Sequence, residues 1–185
     1  MSKWAGFCGW LLRKMGWTSD DGPAPEKKCV ILGVPHTSFM DFVVSYLYYR
    51  QYDATAHIMI KKEFFFWPLG PVLKKLGGVP VDRSNSTALV KSLIEKMDTV
   101  ETFHLCIAPE GTRKAVRKWK TGYHFIAKNV DCPVYMGYFD WSTKHISRGR
   151  KVELTGNARE DTDRIQALYE EMHLVGKVPE GYTTH

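Results

Sequence analysis

His36 stands five residues before Asp41 in the segment Val34-Pro-His-Thr-Ser-Phe-Met-Asp41. A carboxylate that holds one imidazole nitrogen fixes the ring's tautomer and raises the basicity of the other nitrogen. That is the arrangement needed to take a proton from a hydroxyl. The segment ends a β-rich run and opens a helix-like one, and α/β proteins place their sites at such strand-to-helix junctions. The spacing has a second meaning. Ser38-x-x-Asp41 is a capping box, which would make Asp41 an acidic residue at a helix N-terminus and His36 a loop histidine beside it. Spacing alone leaves both open.

Two later loops carry an acid and an arginine beside glycine: Leu76-Gly-Gly-Val-Pro-Val-Asp82-Arg83 and Ile107-Ala-Pro-Glu110-Gly-Thr-Arg113. Arginine captures phosphate in a bidentate manner, and glycine lets backbone approach an anion closely. Glu110 suits hydroxyl donors or orients the arginines, Thr112 offers a hydroxyl, and Lys61, Lys62 and the basic run from Arg113 to Lys120 add positive potential. Taken singly, each loop reads better as a surface ion pair contributing about 0–1 kcal/mol.

Other chemistries lack their motifs. The chain contains no Gly-x-Ser-x-Gly, no HExxH, no GxGxxG and no phosphate-loop lysine. His57, His104, His124, His145, His173 and His185 are too scattered to predict a zinc site, so no metal is expected. Cys8, Cys29, Cys106 and Cys132 form no CxxC pair and read as reduced thiols, three of them in apolar runs.

The elements that must position these loops alternate along the chain. Strand-like runs are expected at Cys29–Val34, Ala54–Ile60, Gly78–Val81, Phe103–Ala108 and Pro133–Phe139. Helices are expected from Phe39 to Gln51, over Phe64–Leu76 with a break near Pro68 and Pro71, from a Ser84 or Ser86 cap to Val100, over Gly122–Asn129 and over Asp161–Val175. Lys144–Thr155 reads as an exposed strand or hairpin. Strands separated by helices imply an α/β layer architecture around a largely parallel sheet.

Ahead of this domain, residues 3–17 repeat apolar groups at helical spacing. Trp4, Phe7, Cys8, Leu11, Leu12 and Met15 share a face, and Lys3, Arg13 and Lys14 lie off its centre. A Trp-rich face beside cations suits a helix lying in a bilayer interface, and equally one docked on the protein's own core. The chain therefore divides into an amphipathic helix over 1–18, a turn-rich linker over 19–27 and a domain over 28–185. At 185 residues, 44% hydrophobic and 25% charged, it has ordinary globular composition. Its net charge of +6 suits an anionic membrane or phosphorylated substrates. Nucleic acid is not an expected partner, because no nucleic-acid-binding motif accompanies the charge. No apolar stretch approaches the ~20 residues of a membrane span, and residues at the start lack a signal peptide's apolar core, which places the chain peripherally on the cytoplasmic side.

The order His36-x-x-x-x-Asp41, Gly78-Val-Pro-Val-Asp-Arg83, Pro109-Glu-Gly-Thr-Arg113 and then Pro133-Val134 resembles the four-block signature of the glycerolipid acyltransferases, which include the 1-acylglycerol-3-phosphate acyltransferases. Lys61-Lys-Glu-Phe-Phe-Phe-Trp-Pro-Leu-Gly70 and Trp119-Lys-Thr-Gly122 match the connecting pieces, so the resemblance covers roughly residues 28–140. It implies a central mostly parallel or mixed sheet flanked by helices. It implies His36 as general base and Asp41 as its orienting partner. Arg83, Glu110, Gly111, Thr112 and Arg113 would bind the acceptor's glycerol-phosphate part, with Lys62 and Lys120 as further phosphate contacts. Pro133 and Val134 would serve the acyl donor. The implied reaction moves an acyl chain from acyl-CoA or acyl carrier protein to a lysophospholipid hydroxyl at an anionic membrane surface, with no cofactor beyond the thioester co-substrate. Another lipid acceptor, or a non-catalytic lipid-binding module of the same fold, are the alternatives. The fourth block departs from many relatives by lacking a second proline after Cys132-Pro-Val-Tyr-Met-Gly-Tyr138.

Overall fold

Successive residues of Lys28–Leu32 (β1) point into two different cores, which is why the run is apolar without alternation. Val30 and Leu32 join a cluster with Leu105, Phe103, Ile126 and Ile165, while Cys29 and Ile31 join one with Leu47, Tyr48, Tyr49 and Leu12. A parallel strand covered on both faces takes this composition. The structure is a computed structural model describing residues 1–82 and 84–182.

Around β1 the chain runs α1 (Lys3–Lys14), α2 (Phe39–Arg50), β2 (Ala56–Lys61), α3 (Leu69–Lys75), β3 (Gly78–Val81), α4 (Ser86–Asp98), β4 (Phe103–Ile107), α5 (Gly122–Val130), β5 (Val134–Tyr135), β6 (Tyr138–Asp140), β7 (His145–Ser147), β8 (Lys151–Val152) and α6 (Ala158–Glu170). The main sheet has the order β3-β2-β4-β1-β5-β8, and β6 pairs with β7 in a separate ribbon. Strands β1 to β5 are mutually parallel and β8 is an antiparallel edge, so the sheet is mixed but mostly parallel. In the β1–β4 register Leu32 lies opposite Ile107. His36 and Gly111 each follow that pair by four residues, so the first and third sequence blocks leave the same sheet edge side by side.

Several local outcomes differ from the sequence expectations. The run Pro133–Phe139 is two strands in two sheets, broken at Met136-Gly137. A Cβ on Gly137 would lie 2.6 Å from both Ile31 Cγ2 and the Leu32 carbonyl oxygen, so only glycine lets the chain cross there. The hairpin-like region after Lys144 is likewise divided between β7 and β8. Helix α4 is capped by Asn85, whose side chain accepts from the Ala88 N–H at 3.0 Å, rather than by Ser84 or Ser86. Residues 64–68 stay outside the α3 helix because Pro68 can only precede it, and Pro71 sits in the first turn where no N–H is needed.

Helix α1 docks on α2 through Ala5, Cys8 and Leu12, yet leaves Trp4, Phe7 and Trp10 outside, stacked in series at 5.4 and 5.8 Å. The helix ends at Lys14, and Trp17 is buried, edge-on to Trp141 at 4.9 Å. The stretch after it is fastened to the domain. Asp21 accepts hydrogen bonds from the Tyr48 hydroxyl, the Ser147 hydroxyl and the N–H groups of Arg148 and Gly149. Among the described residues no helix is long and apolar enough to cross a membrane.

Candidate active site

The loop between β1 and α2 presents His36. Its fixed end is Asp41, whose Oδ2 accepts from the N–H groups of Thr37 at 2.8 Å and Ser38 at 2.7 Å, while the Ser38 hydroxyl accepts from Met40 N–H at 3.2 Å. The capping box is thus formed. The same Oδ2 lies 3.4 Å from His36 Nδ1. That distance is longer than a full hydrogen bond but within the range of catalytic pairs that tighten on substrate binding. Asp41 Oδ1 accepts from the Trp141 indole N–H at 2.9 Å. One buried carboxylate therefore caps the helix and faces the imidazole at once, with side-chain exposure of 1% against 29% for His36. A carboxylate on that side of the ring favours the tautomer with the proton on Nδ1, which leaves Nε2 facing away from Asp41.

Behind the imidazole lies Glu110. Both of its oxygens accept from the His36 backbone N–H, at 3.1 and 3.2 Å, and the residue is 5% exposed. Burial pushes its carboxyl up to about 8, with the Asp41 charge acting in the same direction and the His36 N–H opposing. Sequence reasoning placed Glu110 among groups that contact the acceptor. In the fold its carboxyl holds the His36 backbone N–H, and it lines a small cavity together with Trp119 and Tyr182.

The rest of the third block forms the rim. Gly111 has a φ of +68°, and a Cβ there would come within 2.8 Å of Lys120 Cε, so the lysine stem lies directly across the glycine. Lys120 is tethered through its N–H to the Pro109 carbonyl at 2.8 Å. Thr112 is half-buried and its hydroxyl accepts from Lys114 N–H, while the Arg113 side chain is exposed. Lys62 and Asp82, at the ends of neighbouring strands β2 and β3, form an exposed ion pair that raises the lysine's pKa and lowers the aspartate's. Arg83 lies outside the described residues. Pro133 and Val134 sit at the start of β5, one strand away from the His36 loop, with Val134 buried in the sheet.

His36, Asp41, Gly111 and Lys120 all line an open groove of about 1480 Å³. It runs from the imidazole past Ile58, Met59 and Ile107 at the sheet edge, then between Leu89, Val90 and Ile94 of α4 and Ile126 of α5. Its walls are mainly aliphatic away from His36 and polar beside it. Among the described residues no group of His, Cys, Asp and Glu side chains could hold a metal ion.

Three contributors escaped the sequence reading. Trp141 is a hundred residues from the carboxylate that its indole contacts. Thr37 accepts from the Val178 N–H at 3.2 Å through its hydroxyl. The third is the segment from Leu174 to Tyr182, which straps the two site loops together. Gly176 packs on Thr37, Gly181 on the Arg113 carbonyl, and the Lys177 ammonium lies 4.8 Å from the Trp141 ring centre.

The model for the family described as Acyltransferase matches residues 18–139, more than half of the chain and all of the candidate site except the strap and Trp141. No curated protein compared matches the chain. The fold matches the crystal structure of the 1-acyl-sn-glycerophosphate (LPA) acyltransferase, PlsC, from Thermotoga maritima with a TM-score of 0.62, over 94% of this chain and 80% of that one. The two sequences are 19% identical, so this likeness is one of fold. The family match, with the His36–Asp41 pair and the Glu110–Arg113 loop inside it, means that the chain belongs to the acyltransferase family.

Proposed function

We propose that the chain transfers a fatty acyl group from an acyl thioester, carried by coenzyme A or acyl carrier protein, to the free hydroxyl of lysophosphatidic acid or a related lysophospholipid. The observation that carries this reading is the position of His36, held through its backbone and opening onto a groove that Lys120 also lines and whose walls are largely apolar.

In this reading the acceptor's hydroxyl donates to His36 Nε2. As its oxygen attacks the thioester carbonyl the proton moves to Nε2, and Asp41 stabilises the imidazolium through Nδ1–H. The tetrahedral intermediate collapses with cleavage of the C–S bond, and the leaving thiolate takes the proton back from Nε2. An ester has formed and a thiol has been released, with no covalent acyl-enzyme, metal or prosthetic group required. Lys120, Arg113 and Arg83 supply charge for the acceptor phosphate, with Lys62 a further contact, and Gly111 and Thr112 bring backbone and hydroxyl donors near it. The aliphatic stretch between α4 and α5 suits the acyl chain.

The same reading places the protein peripherally at the cytoplasmic side of an anionic membrane. Support comes from α1, where Trp4, Phe7 and Trp10 face outward with Lys3, Arg13 and Lys14 exposed around them. A panel of acceptors tests the substrate assignment. Arg113→Ala should raise KM for lysophosphatidic acid by roughly tenfold or more, equivalent to the loss of one charge-assisted contact. Unchanged kinetics with that acceptor would remove the phosphate-reading role.

A further inference from the structure

Helix α1 leaves one aromatic face uncovered, and the chain exposes a second at a separate place. Within the short stretch from Phe64 to Val72, the side chains of Phe64, Phe66, Trp67 and Val72 are all exposed, Trp67 to 85%. The exposure comes from a tight fold rather than a loose one. Gly70 donates its N–H to the Phe66 carbonyl, and a Cβ on Gly70 would lie 2.6 Å from the Phe65 carbonyl oxygen. The backbone closes on itself there and turns the large side chains outward. So dense a cluster of exposed rings on one segment marks an interaction surface.

Charge and topology indicate what covers it. Exposed Lys61, Lys74 and Lys75 flank the rings, and Glu63 is the one acid between Lys61 and Lys75. Aromatic side chains rimmed by lysine fit an anionic bilayer interface, where rings sit among headgroups and ammonium groups meet lipid phosphates. Strand β2 delivers this segment at its carboxyl end. Because β2, β4 and β1 are parallel, that is the same sheet edge from which the His36 loop emerges. Ile58 and Met59, within the same strand β2, line the groove itself. A bilayer contacting Phe66 and Trp67 would therefore lie at the edge of the sheet where the groove opens.

We propose that Phe64–Val72 is a second membrane-inserting element, independent of α1, that seats the groove mouth on an anionic phospholipid surface. The proposal rests on the membrane-surface reading above and assigns that surface a second contact.

The test is co-sedimentation of the full chain with phosphatidylcholine vesicles prepared with and without phosphatidylglycerol, comparing wild type, Phe66→Ser/Trp67→Ser and Trp4→Ser/Trp10→Ser. The inference predicts that wild type binds the anionic vesicles and that each double variant binds about tenfold more weakly. The loop variant should keep its circular dichroism and its turnover of short-chain substrates presented as monomers. Lys74→Glu/Lys75→Glu, which leaves the rings in place, should weaken binding to the anionic vesicles only, and serves if the serine variant does not fold. Wild type failing to bind either vesicle would overturn the membrane reading as a whole. Binding lost in the α1 variant but unchanged in both loop variants would overturn this inference alone. So would a wild-type dimer that the loop substitutions convert to monomer without altering vesicle binding, because the surface would then be covered by a second copy.

Discussion

Glu110 grips the backbone of His36: both carboxyl oxygens of this buried residue accept from the histidine N–H, at 3.1 and 3.2 Å. The contact joins the first and third sequence blocks, which the register of β1 and β4 brings side by side. It gives the acid of the Glu-Gly-Thr-Arg loop a positioning task.

That task predicts a contrast between two substitutions. Glu110→Gln keeps an oxygen for the His36 N–H and should retain turnover within a few-fold. Glu110→Ala leaves a buried donor unpaired, a loss of about 1–3 kcal/mol, and should lower kcat at least tenfold. Steady-state kinetics of the two variants check this, and equal losses in both would point to a role for the carboxylate charge.

The raised carboxyl also predicts a pH dependence of stability. Between its ordinary value near 4.5 and about 8, the folded chain holds a proton that the unfolded chain has released. Stability contributed by Glu110 is therefore complete below about 4.5 and is lost as pH rises toward 8, by on the order of a few kcal/mol. Urea denaturation of wild type and Glu110→Gln at pH 5 and pH 8.5 reads this directly. The difference between pH values should be smaller in the glutamine variant.

Trp141 holds the other side of Asp41 through its indole N–H. Trp141→Phe keeps an aromatic ring near Trp17 while removing the indole donor and part of its surface. A hydrogen bond to a charged group contributes about 1.5–3 kcal/mol, so chemical denaturation should show a loss of that order, with a fall in kcat and little change in KM. A fall in KM-related binding alone would argue against a positioning role.

The strap should be sensitive to a single methyl group. A Cβ on Gly181 would lie 2.6 Å from the Arg113 carbonyl oxygen and 3.1 Å from Thr37 Cγ2. Gly181→Ala should push the strap off both loops, destabilising the fold by roughly 1–3 kcal/mol and lowering activity. Gly156→Ala, where the added carbon meets nothing within 4 Å, is the control.

Much of this was legible in the sequence where local rules decide. The apolar run at β1, the capping box at Ser38 and Asp41, and the break near Pro68 all act over a few residues, whereas the break at Gly137 depends on its packing against Ile31 and Leu32 and did not show in the sequence. The two meanings of Asp41 do not exclude each other, because the oxygen that caps the helix also lies 3.4 Å from the imidazole while the other meets Trp141. What sequence could not show were contacts made by chain return. The residue types around Glu110 offered it hydroxyl donors or arginines as partners, and its hydrogen bond to the His36 N–H, made by strand register, had no signal in the sequence. The strap and Trp141 reach the site through loops with no motif of their own. Residues 19–27 read as a linker from their turn-forming composition, although Asp21 ties them to Tyr48 and Ser147.

The central claim is that His36 is the base for acyl transfer. The most direct measurement follows free thiol and diacyl product when the purified chain is incubated with lysophosphatidic acid and either acyl-coenzyme A or acyl carrier protein thioester. The account predicts equal amounts of thiol and ester product from at least one donor, with a rate reduced by about 10²–10⁴ in His36→Ala. No product from either donor, or turnover by His36→Ala at the wild-type rate, would contradict it.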